Sequence, residues 1–235
     1  MQGETGYRLP FSLLRLTRNR KPGARVMTSL ELAARKSARN AGPAATAATM
    51  TTQRLVLRSP RPADAKALAR LLNDRRIAEN TTRIPHPYGV ADAQAFLAQA
   101  NRDPAEPAFL IGLADGTLIG GCGIATGSGD DPELGYWIGV AHWGRGYATE
   151  AARALIDHAF GELGCERLSS RARVSNPASR RVLEKCGFQW NGVALVRIRA
   201  IKSSAPVDCF RLDRGLWASL RSWGNADPFE PGRRR

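Results

Sequence analysis

Cysteine and histidine are scarce in this 235-residue chain, which holds four of the first and three of the second. Cys122, Cys165, Cys186 and Cys209 stand 43, 21 and 23 residues apart. There is therefore no C-x-x-C pair, and no histidine cluster completes a zinc set. His142 and His158 are assigned no metal. The four thiols read as reduced, in a cytoplasmic protein. No apolar run approaches the roughly 18 to 20 residues of a membrane span, and the patch LPFSLL is cut at Arg15 before it reaches signal-peptide length. Two nucleotide signatures are also missing. No G-K-[ST] occurs, and after Gly144 and Gly146 the third glycine of a G-x-G-x-x-G pattern is replaced by Thr149, which sets aside P-loop and Rossmann readings.

Positive charge is abundant, at a net of +14. Residues 1–49 carry nine Lys/Arg against Glu4 and Glu31, which places half of that excess on a short leader. The leader ends in AGPAATAATM, a low-complexity run that reads as a linker. Three readings of 1–49 stay open: an upstream start with Met50 as the initiator, a disordered basic tail, and an Arg-rich organellar presequence. A basic nucleic-acid or ribosome-binding module is the alternative from another functional class. Aromatics are not interleaved with those charges or with the terminal RRR, so the tails of 1–49 and 224–235 read as solvated chain with at most weak ribosome or RNA contact.

From Gln53 onward apolar periodicity alternates between strand and helix. RLVLRSP reads as a strand, followed by a helix from near Pro62 and Asp64 with Ala65, Leu68, Leu71 and Leu72 inward. VADAQAFLAQA is a second helix, and PAFLIGLADGTLIGGCGIA a hairpin turning at Asp115-Gly116. PELGYWIGV reads as a strand, ATEAARALIDHAFGEL as a helix, then RLSSRARV, NPASRRVLEKCGF, VALVRIRAI and DCFRLDR as strand, helix, strand and strand. The expectation is one mixed α/β (α+β) domain over 50–223, without internal repeats and as a monomer or homodimer.

Between the strand LGYWIGV and the next helix lies HWGRGYATEA. Helix N-termini present unpaired N–H groups at an electropositive end, and glycines let backbone approach an anion closely. Gly144, Arg145 and Gly146 followed by Tyr147, Ala148 and Thr149 fit a phosphate cradle, and equally an ordinary tight turn. Downstream, Asn176 suits an N-cap, Pro177 the first helical turn, and Gly187 a C-terminal stop.

ELGYWIGVAHWGRGYATEA together with NPASRRVLEKCGF resembles the GNAT acetyltransferase superfamily, and within it the branch of ribosomal-protein alanine N-acetyltransferases, over about residues 52–220. The superfamily's Q/R-x-x-G-x-G/A segment is matched by Trp143, Gly146 and Ala148, with Trp143 departing from Gln/Arg. What the resemblance implies is a sheet splayed between two parallel strands, with acetyl-CoA as co-substrate. Its pantetheine arm would run along Ile138, Gly139 and Val140, its pyrophosphate would sit on the loop 143–149, and Asn176 and Ser179 would face it. Many superfamily members have a tyrosine seven residues after this asparagine; Leu183 stands there, and the role of acid toward the departing thiolate passes to Ser179.

The attacking amine must be neutral, and Glu133, at the start of the strand entering the site, is the first candidate for general base. A solvated carboxylate at a strand end is the competing reading. An α-amine with a pKa of about 7.7 to 8.0 needs less help than a lysine at about 10.4, so a weak base signal favours a protein or peptide N-terminus as acceptor. Antibiotics and polyamines are the rival acceptors, and Arg75, Arg76, Arg83 and Arg102 near the acceptor side argue against a polycation. His86 reads as a rim residue, Arg180, Arg181 and Lys185 as a basic helix face, and Tyr88, Trp137, Trp143 and Tyr147 either line the acceptor entrance or pack.

Overall fold

The structure, a computed structural model, describes residues 49–100, 102–125 and 131–225. Nearly all of the basic leader, and the RRR end, lie outside these. Strands β1 (Thr49–Thr51), β2 (Leu55–Arg58), β3 (Ala108–Leu113), β4 (Leu118–Ala125) and β5 (Glu133–Ile138) form a run of antiparallel neighbours. Next to β5 lies β6 (Arg167–Arg173), in parallel, and β8 (Ser203–Asp213) is inserted antiparallel between β6 and the edge strand β7 (Gln189–Ile198).

Helices cover both faces. Helix α1 (Ala65–Leu72), the single turn α2 (Arg75–Ala78) and α3 (Val90–Gln99) lie on one side, where Leu68, Leu72 and Ala93 pack on Leu110. On the other, α4 (Tyr147–Gly161) and α5 (Pro177–Lys185) bring Leu155, Ile156, Phe160 and Leu183 onto Leu134 and Leu168. Each such fully buried Leu, Ile or Phe contributes roughly 1.5–3 kcal/mol of transfer free energy. Helix α6 (Arg214–Asn225) is the last element among the described residues, with Trp217 tilted on Phe160 at 5.2 Å between ring centroids. The architecture is α/β, a mixed sheet with one parallel pair.

The Asp115-Gly116 hairpin forms as expected: Gly116 takes φ +84° and Thr117 N–H donates to Asp115 Oδ1 at 2.9 Å. Several boundaries differ from the sequence pattern, among them the start of β7, which is Gln189 and not Val193. β8 begins at Ser203 rather than at Asp208, because Pro206 within it reads as a strand end. α6 was not anticipated; Gly215 at its start masks the Leu216, Trp217, Leu220 stripe. β5 stops at Ile138, since Val140–His142 turns into a 3-10 segment whose Val140 carbonyl accepts from Trp143 N–H. In α1 the fourth inward residue is Ala69, with Leu71 only half-buried.

Candidate active site

β5 and β6 share a single register pair, Glu133 with Ser169. Just beyond it the Ser170 hydroxyl, buried, donates to Leu134 O at 2.8 Å, occupying the position where the next backbone rung would form. From there the strands part. Gly139 N–H donates across to Ile119 O on β4 at 2.7 Å. Because hydrogen-bonding direction alternates along a strand, Leu134, Tyr136 and Ile138 turn their backbone groups toward β6. The opening is a cavity of about 1480 Å³ that runs between the two strands.

Side chains on β5 divide between the faces. Leu134, Tyr136 and Ile138 point to the α4/α5 side, and Trp137 to the α1–α3 side. Glu133 is in phase with Trp137, and its carboxylate pairs with Arg171 of β6 at 3.3 Å, both side chains about one-fifth exposed. Trp137 lies flat over Gly121, where a Cβ would come within 2.7 Å of the indole nitrogen. Tyr136, on the opposite face, meets Ser179 of α5. The phenol oxygen is 2.9 Å from Ser179 Oγ and 3.1 Å from Ser179 O. Burial pushes the Tyr136 phenol well above its ordinary value, with the Ser179 hydrogen bond opposing part of that rise. The gap between β5 and β6 thus has a carboxylate on one face and a hydroxyl pair on the other.

Asn176 caps α5 by accepting from Ser179 N–H at 3.1 Å, which fixes where Ser179 sits. Leu183 is fully buried, so the phenol nearest the site comes from β5 and not from α5. Sequence reading passed over Tyr136, although it is in phase with buried Leu134 and Ile138 and carries a polar tip.

The glycine loop has the conformation that requires glycine. Gly144 and Gly146 sit at φ +75° and +79°, and Gly146 is the N-cap of α4. Arg54 braces the loop, donating through Nη1 to Arg145 O at 3.0 Å and lying 4.8 Å from the Tyr147 ring centroid. In a trans peptide the N–H opposes the carbonyl, so this bond turns Gly146 N–H away from Arg54. Arg54 is itself held by Glu150, through its backbone N–H at 2.8 Å and Nε at 2.7 Å, while Thr52 Oγ1 donates to the same carboxylate at 2.7 Å. Burial alone would raise the Glu150 pKa. The bonds from Thr52 and Arg54 outweigh it and hold the carboxyl below its ordinary value. No spacing in the sequence announces this brace, whose parts lie 96 residues apart.

Trp143 has a geometric role. Its indole N–H donates to Ile138 O at 2.6 Å, tying the loop to the last residue of β5. Of the residues expected at the cofactor, Ile138, Trp143, Gly144, Gly146, Tyr147, Ala148, Thr149, Asn176 and Ser179 line the cavity together with Glu133. Gly139, Val140 and Arg145 are not among its lining residues. Arg181 and Lys185 line it, whereas Arg180 turns to Asp208 at 3.4 Å. Tyr88, Trp137, Trp143 and Tyr147 all line it as well, Tyr88 buried with its phenol pushed up to about 12 by burial; His86 does not. Among the described residues no group of His, Cys, Asp and Glu is placed to hold a metal, and no helix is long and apolar enough to cross a membrane.

Comparison with known proteins agrees with this geometry. The acetyltransferase (GNAT) domain family matches residues 54–189. The chain is 28% identical over 151 residues to the uncharacterized N-acetyltransferase p20 of Bacillus licheniformis, covering 62% of this chain and 84% of that protein. It is 33% identical over 153 residues to YdaF of Bacillus subtilis, a candidate ribosomal N-acetyltransferase, covering 60% and 81%. Among solved structures, Mycobacterium smegmatis RimJ in complex with CoA-disulfide superposes with a TM-score of 0.62 at 21% identity, covering 72% of this chain and 89% of that one. A sheet that opens after one parallel pair, a glycine loop capping the following helix and a family match across more than half of the sequence lead to one conclusion: the chain belongs to the GNAT acetyltransferase family.

Proposed function

We propose that the protein transfers the acetyl group of acetyl-CoA to the α-amine of a protein or peptide N-terminus, by direct attack in a ternary complex. The observation that carries this reading is the gap after Glu133–Ser169, which joins the glycine loop, Ser179 and Glu133 in one cavity. A diphosphate on the loop would meet the N-terminus of a 15-residue helix, two positive-φ glycines and the braced Arg145–Gly146 peptide. Backbone N–H groups of Tyr136 and Ile138, turned toward β6, are in place to pair with the pantetheine arm and to polarise the thioester carbonyl.

In the transfer the amine nitrogen bonds to the thioester carbon, giving a tetrahedral oxyanion, and collapse breaks the C–S bond. The departing thiolate takes its proton from Ser179 Oγ as Tyr136 O–H passes its own to that oxygen, and the phenol regains a proton from solvent when CoA leaves. The proton lost by the amine passes to Glu133, directly or through water, on the opposite face of the sheet. Similarity to YdaF supports a protein acceptor. Cytoplasmic location accords with the reduced cysteines, and the basic ends would at most add weak ribosome or RNA contact. Acetyl-CoA consumption measured over peptide N-termini, aminoglycosides and polyamines tests the reading. Turnover is expected on peptides, and turnover confined to the small amines would overturn it.

A further inference from the structure

Two arginines that line the cavity, Arg173 and Arg199, make no ion pair among the described residues. The acids lining the same cavity are Glu133, paired with Arg171, then Asp92 and Asp103, which accept from Gly89 N–H at 2.9 Å and Ala105 N–H at 2.8 Å and keep their charge, and Glu106. Arg76 in turn is paired with Asp74. Arg173 and Arg199 differ. Arg173 Nη1 donates to Glu79 O at 3.0 Å and Arg199 Nη1 to Arg83 O at 3.3 Å, both uncharged carbonyls of the segment that borders the cavity. Arg173 Nε is buried and has no hydrogen-bond partner among the described residues. A half-buried guanidinium that holds only a carbonyl retains its full charge and an unused donor.

Its position sets what it can read. Arg173 follows Arg171 by two residues on the same face of β6, which is roughly 7 Å along the strand. Arg171 marks the position of Glu133, where the amine is deprotonated in the proposed reaction. An extended peptide advances roughly 3.3–3.6 Å per residue, so an amine at Glu133 puts the side chain of the second or third residue opposite Arg173. We infer that Arg173, with Arg199 lining the same cavity, selects N-termini bearing a carboxylate at the second or third residue. A carboxylate there would take the fork of a guanidinium already anchored through Nη1. This rests on the α-amine reading of the site and narrows its acceptor to acidic N-termini.

Release of CoA thiol is to be measured on the full chain with peptides that differ only by Asp against Asn at positions two and three. Hydrogen bonds to charged groups correspond to roughly a tenfold to hundredfold preference, so kcat/KM is expected to be at least about tenfold higher for the acidic member. In Arg173→Gln the two peptides become equal within about twofold. Arg173→Lys, which keeps the charge and a donor for Glu79 O but loses the fork, keeps part of the preference. Arg173→Glu shifts the preference toward Lys at the same positions, and circular dichroism verifies each fold. A wild-type ratio near one, or a ratio that survives Arg173→Gln, overturns the inference while leaving the α-amine reading intact. Turnover of free aspartate or glutamate in preference to every peptide would assign Arg173 to a small amino-acid acceptor and overturn both, as would absence of turnover on any peptide.

Discussion

Tyr136 and Ser179 are 43 residues apart in the chain and 2.9 Å apart through their hydroxyls. The strand turns one toward the helix, and the Asn176 cap fixes the other. If this pair supplies the proton for the departing thiolate, Ser179→Ala lowers kcat by about 10²-fold, the lower end of the usual range for general acids. Tyr136→Phe lowers it by roughly tenfold, with the KM for acetyl-CoA changed less than about threefold in both. Steady-state kinetics with a substrate of poorer leaving thiol separates the roles, since dependence on Ser179 should steepen.

Gly146 is required by its backbone and by its neighbour. At φ +79° any L residue costs roughly 1–2 kcal/mol, and a Cβ would sit 3.4 Å from Arg54 Nη2. Gly146→Glu adds a negative charge where the pyrophosphate is to bind. Acetyl-CoA binding by calorimetry is expected to vanish while the circular dichroism spectrum is retained; unchanged affinity would mean the phosphates bind elsewhere.

The Glu150 carboxyl, held low by Thr52 and Arg54, makes stability pH-dependent. Its contribution is present above the unfolded carboxylate pKa of about 4.3 and is lost as pH falls through the lower folded value. Glu150→Gln should therefore lower Tm by roughly 2–4 °C at pH 7, with the gap to wild type closing below about pH 4. Loss of the Arg54 brace should also raise the KM for acetyl-CoA.

Trp143 ties the loop through one N–H donated to Ile138 O. Trp143→Phe keeps the ring and removes that donor, so the KM for acetyl-CoA is expected to rise about fivefold, equivalent to one net hydrogen bond. Trp143→Gln, which restores a donor and the residue type common in the superfamily, should recover most of it.

Burial pushes Cys122 up to about 12 and Cys186 to about 11. Fewer than about one molecule in a thousand of either is thiolate at pH 7.5, so iodoacetamide should leave both unlabelled in the native protein and label them after unfolding, as read by mass spectrometry.

Local signals made much of this legible. The hairpin at Asp115-Gly116, the cap at Asn176, the stop at Gly187 and the glycine loop are each specified by residues within a few positions. Hidden from the sequence were the long-range pairs: Arg54 with Glu150, Tyr136 with Ser179, Arg173 with Glu79. Their separations carry no period, and only the sheet order brings them together. Pro206 and Gly215 misled for the opposite reason, since local propensity at those positions yields to tertiary packing in β8 and α6.

The lone Glu133–Ser169 rung makes the sheet two antiparallel blocks, β1–β5 and β6–β8–β7, meeting along a seam. A ligand arm lying in that seam would act as a keystone, supplying rungs the chain itself omits. Saturating acetyl-CoA at 100-fold above its Kd would then add about 2.7 kcal/mol to unfolding. Slowed hydrogen exchange should concentrate at the amides of Tyr136 and Ile138, leaving the outer strands unchanged.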